Sequence, residues 1–267
     1  MKMFVISDIH ADIWRPRQGY WSTHLGKWLN DVDVMVIAGD TGSFGNNLIS
    51  IAQVLLELPH IHIVYVMGNH DHYGTQLDYA KDVLTWADYS LDRLHVLTTL
   101  NPSWDYNDKI TFIGSTLWTN FNNESPAAMN EAQRRMNDFR AILKSSNKPI
   151  TANNILQEFY NTKKLIFKTL ERKSDRKCVV VTHHQPFIRG AVTDTLSHAY
   201  CVDMEKEFNE CTNLPVYWIH GHTHKSTWLT KEFTHGQVTF VSNQFGYPTE
   251  PSEITGYRND CVLEVEE

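Results

Sequence analysis

Cysteine is scarce in this chain: four residues in 267, at Cys178, Cys201, Cys211 and Cys261, with no C-x-x-C spacing among them. At that density a disulfide framework is excluded, and reduced thiols are expected. Basic residues are also in deficit, 24 Lys and Arg against 31 Asp and Glu, for a formal net charge of -7. That balance argues against the basic face that non-specific nucleic-acid binding needs. A local positive site stays compatible with it, because bound metal ions do not enter the sum. No apolar run approaches the roughly 18 residues of a membrane span. The opening "MKMFVISDIH" enters a strand at once, with no long apolar segment or small-residue cleavage site. A soluble, cytoplasmic protein without a membrane partner is expected. Repeats, low-complexity stretches and clear linkers are absent too, so residues 1–267 are expected to form a single domain.

What is present is a series of short β-branched runs: 3–7, 33–39, 61–68, 110–115, 177–183, 215–221, 238–243 and 261–265. Continuous apolar stretches of this length suit strands covered on both faces. Residues 46–58 and 75–89 carry apolar positions at helical spacing. Strand–helix alternation over the first 90 residues therefore implies βαβ units and a largely parallel sheet. From about 177 the strands crowd together, as in a layer with some antiparallel pairs. Between them, residues 118–175 read as a helical insertion beside the sheet. Its first helix opens with Ser125 as N-cap and Pro126 at the first helical position. The lysine-rich end of its second helix reads as a solvated face.

Five of the runs end in residues with ligand chemistry. "SDIH" supplies Asp8 and His10, "GD" supplies Asp40, "GNHD" supplies Asn69 and His70, "VVVTHH" supplies His183 and His184, and "WIHGHTH" supplies His220, His222 and His224. Ligands of open α/β sheets bind outside the carboxyl ends of the strands. Asp8 and His10 are two apart, as are His222 and His224, so each pair can point to one side of an extended chain end. Gly39, Gly68 and Gly221 precede the ligands where close backbone approach or positive φ is needed.

The order D-x-H, G-D, G-N-H-[D/E], H, G-H-x-H resembles the calcineurin-like metallophosphoesterase superfamily from Asp8 to His224. More narrowly, "TLWTNF", "MNDFR", "VVVTHHQP" and "WIHGHTH" resemble a bacterial and phage branch of it. The resemblance implies an α/β fold, a two-sheet α/β/α sandwich with the helical insertion flanking the active site. It also implies two divalent metal ions, one held by Asp8, His10, Asp40 and His224 and the other by Asp40, Asn69, His183 and His222. A ligand set without thiolate suits Mn, Fe, Zn or Co, with Mn expected to activate in vitro. A metal-bridging hydroxide would attack phosphorus, and His70 is the expected proton donor to the leaving alkoxide. Asp71 either orients that imidazole or caps its loop. His184 and His220 are expected in supporting or core roles, and His72 at the surface.

The substrate is less legible. Protein phosphatases of the superfamily read G-D-x-V-D-R-G where this chain has "GDTGSFG", without the second acid or the arginine. A phosphodiesterase acting on a small, nucleotide-like phosphoester is the leading expectation. A phosphomonoesterase is the alternative, and a non-catalytic metal-binding scaffold a third. Arg140, inside "MNDFR", is a candidate grip on phosphate. Arg15 belongs to a second candidate group with Trp14, Arg17 and Tyr20, which can stack a base and hold a phosphate. The same cluster also reads as ordinary loop packing. Asn243 is a further loop candidate.

Overall fold

The computed structural model describes residues 1–145, 147–188 and 194–266. The chain begins β1 (Lys2–Ile6), β2 (Val34–Ala38), α1 (Asn46–Glu57), β3 (His62–Val66), α2 (Leu77–Ser90) and β4 (Leu94–Leu97). It continues through β5 (Ser103–Asp105), β6 (Ile110–Ser115), α3 (Pro126–Arg135), β7 (Leu143–Ser145), β8 (Lys148–Pro149) and α4 (Ala152–Arg172). The last part holds β9 (Lys177–Thr182), α5 (Glu205–Glu210), β10 (Tyr217–Ile219), β11 (Thr227–Phe233), β12 (Gly236–Ser242) and β13 (Val262–Glu264).

Two sheets result. The first has the order β13-β1-β2-β3-β4, parallel except for β13; the second has the order β11-β12-β10-β9-β6-β5, parallel except for its two edge strands. The apolar runs are continuous because each strand is packed on both faces. Met3, Val5, Val36 and Val64 of the first sheet meet Phe112, Val179, Val181 and Ile219 of the second in a shared central layer. The alternate residues Phe4, Ile6, Ile37 and Tyr65 turn outward to Ile51, Val54 and Leu84 of α1 and α2. On the far side Ile113, Val180 and Trp218 meet Ala132 of α3, Ile155, Phe159 and Ile166 of α4, and Phe208 of α5. The order of layers is helices, sheet, sheet, helices, which is the expected two-sheet sandwich.

Segment 118–175 is less helical than its composition suggests. Ser125 caps α3 as expected, its Oγ accepting from the N–H of Ala128. The helix stops at Arg135, because Met136 turns extended. Beyond it Asp138 is drawn into buried hydrogen bonds with Asn69 and Tyr73, and β7 and β8 pair antiparallel. Before α3, Phe121, Asn122, Asn123 and Glu124 all have positive φ, between 49° and 63°. Four consecutive left-handed residues are rare, since each L-residue there costs roughly 1–2 kcal/mol.

Candidate metal centre

Within each sheet the strands that precede the polar clusters are parallel, so β1, β2, β3, β9 and β10 deliver the residues after their carboxyl ends to one edge. The side chains converge there through unusual backbone. Asp8, His10, Asp40, His222 and His224 all adopt positive φ, from 47° to 74°. The paired ligands therefore do not continue an extended chain, as their spacing suggested. After β1, β2 and β10 the chain breaks into left-handed residues that turn the carboxylate or imidazole back toward the common point, whereas Asn69 after β3 is right-handed, at φ -68°. Strain of this kind persists only where surrounding structure holds it.

The convergent side chains form overlapping clusters. Asp8, His10 and His224 bring one ligand atom each within 4.8 Å of one another, as do Asp40, His183 and His222, and His10, Asp40 and His70. Asp40 lies between the two sides, with Oδ1 3.4 Å from His183 Nε2 and Oδ2 3.9 Å from His10 Nε2. The Asn69 Oδ1 is 3.1 Å from His183 Nε2. Its amide is oriented by Asp138, which accepts from Nδ2 at 2.9 Å.

Two observations test whether these groups fit divalent ions. First, imidazole nitrogens face one another at 3.1 Å in both clusters, His10 Nε2 with His224 Nε2 and His183 Nε2 with His222 Nδ1. His224 donates its Nδ1 proton to Glu250, and His183 its Nδ1 proton to the carbonyl of Ala38. Their Nε2 atoms are left facing the cluster. Nitrogens about 2.1 Å from a shared ion and at right angles to each other would lie about 3 Å apart.

Second, the electrostatics favour a cation. Burial holds His10 down at about 3 and His222 well below the usual imidazole range, so both are neutral, the form that ligates metal. Burial also pulls His183 down, but the Asp40 and Asp8 carboxylates outweigh it and raise the group to about 9. The field that favours a proton on His183 favours a metal cation equally. Burial raises Asp8, while His183, His70 and His10 hold Asp40 well below the usual carboxylate range against its own burial. The residues fit the group.

The profile of the calcineurin-like phosphoesterase family matches residues 1–226. The chain belongs to this family. It is similar to an uncharacterised protein of Acanthamoeba polyphaga mimivirus, 27% identical over 241 residues that make up 85% of this chain and 83% of that one. Among solved structures it resembles a phosphopantetheinyl hydrolase of Mycobacterium tuberculosis, at 17% identity and a TM-score of 0.67, covering 93% of this chain and 90% of that one. A Thermus thermophilus protein matches at 9% identity and a TM-score of 0.54 over the same shares. Identities this low establish the fold alone. Membership implies a hydrolase acting on phosphoesters with divalent metal, and the clusters supply candidate ligands. No described helix is long and apolar enough to cross a membrane.

The structure brings the seven candidate ligands and His70 of this phosphoesterase together, and moves the candidate substrate residues away. A cavity of about 400 Å³ over the clusters is lined by Asp40, Asn69, His70, His222 and His224 together with Tyr73, Arg135, Asp138, Tyr247 and Glu250. Arg140 is not in this wall, because its guanidinium is bound to the carbonyls of Arg134 and Met136. The arginine in the wall is Arg135, held by Glu131 and Asp194. Arg15 is likewise outside, exposed beside separate hollows of its own loop. Trp14 and Tyr20 pack edge to face at 4.4 Å, so this loop takes the packing role rather than the stacking one. "TLWTNF" turns inward, with Leu117, Trp118 and Phe121 buried in the outer helical core. Asn243 is structural, bonding to Val5 and to both backbone groups of Arg258.

The histidines outside the ligand set also resolve. His72 is fully buried against Trp118, not at the surface as its polarity suggested. His184 packs 4.1 Å from the His222 ring and 5.2 Å from Trp118, and His220 lies in the core against Phe187. Asp71 caps the loop, accepting from the N–H groups of Gly68 and Asp40 at 2.7 and 2.8 Å.

Three residues at the site carry no weight in the sequence reading. Glu250 accepts from His224 and from the Tyr247 N–H. The Tyr247 ring stacks on His10 at 4.4 Å, and its hydroxyl lies 3.2 Å from His70 Nε2. Asp138 orients Asn69. Asp138 stands inside "MNDFR", and Tyr247 and Glu250 come after the strand end of β12. A carboxylate in a quoted motif and a sixth polar strand end are the signals that could have found them.

Proposed function

We propose that this phosphoesterase is a two-metal phosphodiesterase acting on a small phosphoester. The observation that carries the reading is the position of Asp40, whose two carboxylate oxygens face different imidazole groups. Asp8, His10, Asp40 and His224 would hold one divalent ion, and Asp40, Asn69, His183 and His222 the other. When bound, the ions would supply Lewis-acid polarisation of the phosphoryl oxygens and an acidified water.

The chain's own residues do the rest. His70 protonates the leaving oxygen, its ring fixed between His10 at 4.5 Å and Tyr73 at 4.2 Å, and its backbone N–H bonded to Asp40 at 2.9 Å. Arg135 offers a positive charge over the cavity for the phosphate oxygens, its Nη1 held by the Glu131 and Asp194 carboxylates. Glu250 and Asp138 fix the tautomer of His224 and the flip of Asn69.

The test is hydrolysis of bis(p-nitrophenyl) phosphate beside p-nitrophenyl phosphate, with added Mn²⁺ and with bound metal counted, for the wild type and Asp40→Asn. Faster diester cleavage is expected, with kcat/KM lost by about a thousandfold or more in the variant. Preferred monoester cleavage turns the assignment to a phosphomonoesterase. A variant as active as the wild type overturns the two-metal reading altogether.

A further inference from the structure

Next to the cavity over the metal cluster lies a larger one, of about 800 Å³ against about 400 Å³. Tyr200, His222 and Thr223 stand in the walls of both, so the two spaces meet at a candidate metal ligand. The Tyr200 ring leans over that junction, 5.1 Å from His222. Pockets of roughly 300–1,000 Å³ are the size that small organic ligands fill.

The chemistry of the larger cavity limits what enters it. Gln185, Ser197 and Ser226 offer hydroxyl and amide groups, and Ile188 and Ile254 offer apolar surface. Among the described residues Tyr200 is the only aromatic side chain in this wall besides His222, so a flat base finds no second plate to stack on. Among the described residues Lys225 and Glu253 are the charged side chains of the wall, one of each sign.

We infer that this cavity receives the organic group of a phosphodiester, and that the group is an extended chain bearing hydroxyl or amide functions. The inference rests on the phosphodiesterase reading above: phosphorus lies over the metal cluster, and its ester substituent crosses Tyr200 into the larger space. Water adds to phosphorus, one P–O ester bond breaks, and a phosphomonoester and an alcohol leave.

Three p-nitrophenyl phosphodiesters test it, with a methyl group, an N-acetylaminohexyl chain or a carboxyhexyl chain as the second substituent. The wild type should favour the acetylaminohexyl ester over the methyl ester by about tenfold or more in kcat/KM. Ser197→Trp, which fills the cavity, should bring that ratio close to one. The exposed Glu253→Lys should shift preference from the neutral chain toward the carboxyhexyl ester by at least about threefold. Calorimetric titration with N-acetylaminohexyl phosphate reads the cavity without turnover, and its affinity should fall in Ser197→Trp. Equal rates for methyl and acetylaminohexyl esters in the wild type, or a ratio unmoved by Ser197→Trp, overturn the inference while leaving the phosphodiesterase reading intact. Failure to cleave any diester, with chain-dependent phosphate binding still lost in Ser197→Trp, overturns that reading and keeps the cavity's assignment to the chain.

Discussion

His72 offers a sharp physical test of the fold around the site. The side chain is fully buried, and neither ring nitrogen has a hydrogen-bond partner among the described residues. Burial, with Lys81 adding to it, lowers the group from 6.5 to about 3. A histidine held neutral in the fold binds its proton far more readily when unfolded. Its contribution to stability is therefore fully present above about pH 6.5 and is lost progressively as pH falls toward 3. The loss reaches about 2 kcal/mol at pH 5 and about 4 kcal/mol by pH 3. His72→Phe keeps the ring against Trp118, 5.8 Å away, and removes both nitrogens. The variant should be more stable than the wild type by about 1–3 kcal/mol at pH 7.5, because two desolvated polar atoms are gone. Between pH 7.5 and pH 5 it should then lose about 2 kcal/mol less than the wild type. Urea unfolding at the two pH values measures both quantities. Metal binding and the other histidines also respond to acid, but they are common to both proteins and cancel in the difference. Equal losses in the two proteins would refute the reasoning, since His72 would then take up no extra proton on unfolding.

Other expectations rest on the same geometry. Glu250→Gln removes the carboxylate that fixes the His224 tautomer, so metal affinity should drop about 10–100-fold in an equilibrium titration; unchanged affinity removes Glu250 from the site. Arg135→Ala should raise KM for bis(p-nitrophenyl) phosphate about tenfold or more, whereas Arg140→Ala, bound to backbone carbonyls, should leave it unchanged; the reverse result would reinstate Arg140. Gly39 sits at φ +88°, and an added Cβ would collide with the His183 ring. Gly39→Ala should therefore cost on the order of 3 kcal/mol and lower Tm by several degrees, and a melt within a degree of wild type would show that the loop can move aside.

Much of this protein was legible along the chain. The eight apolar runs became strands because both sheet faces are covered, so their hydrophobicity was continuous enough to see. Strands β4 and β5 are only four and three residues long, and β11 is an exposed edge with a largely polar sequence; such strands owe their existence to a neighbour's unpaired backbone rather than to their own pattern. The candidate ligands were legible for a related reason, since each comes just after a recognisable strand end. Local sequence thus determined the element types, the edge at which chemistry collects and the residue types available there.

Tertiary structure alone decided which of those residues meet. The left-handed backbone at Asp8, His10, Asp40, His222 and His224 is not written in their identities, and it replaces the extended spacing that sequence implied. Arg135 rather than Arg140 faces the cavity because α3 ends where Asp138 is pulled toward Asn69, a choice made by a partner 69 residues away. Glu250 and Tyr247 reach the site from a loop beyond the last motif. His72 is buried because Trp118 and the chain around it close over a polar residue that any local rule leaves in water. A sequence pattern records what each short segment prefers; contacts between distant segments are fixed only when the two sheets pack and the free energy of the whole core outweighs those preferences.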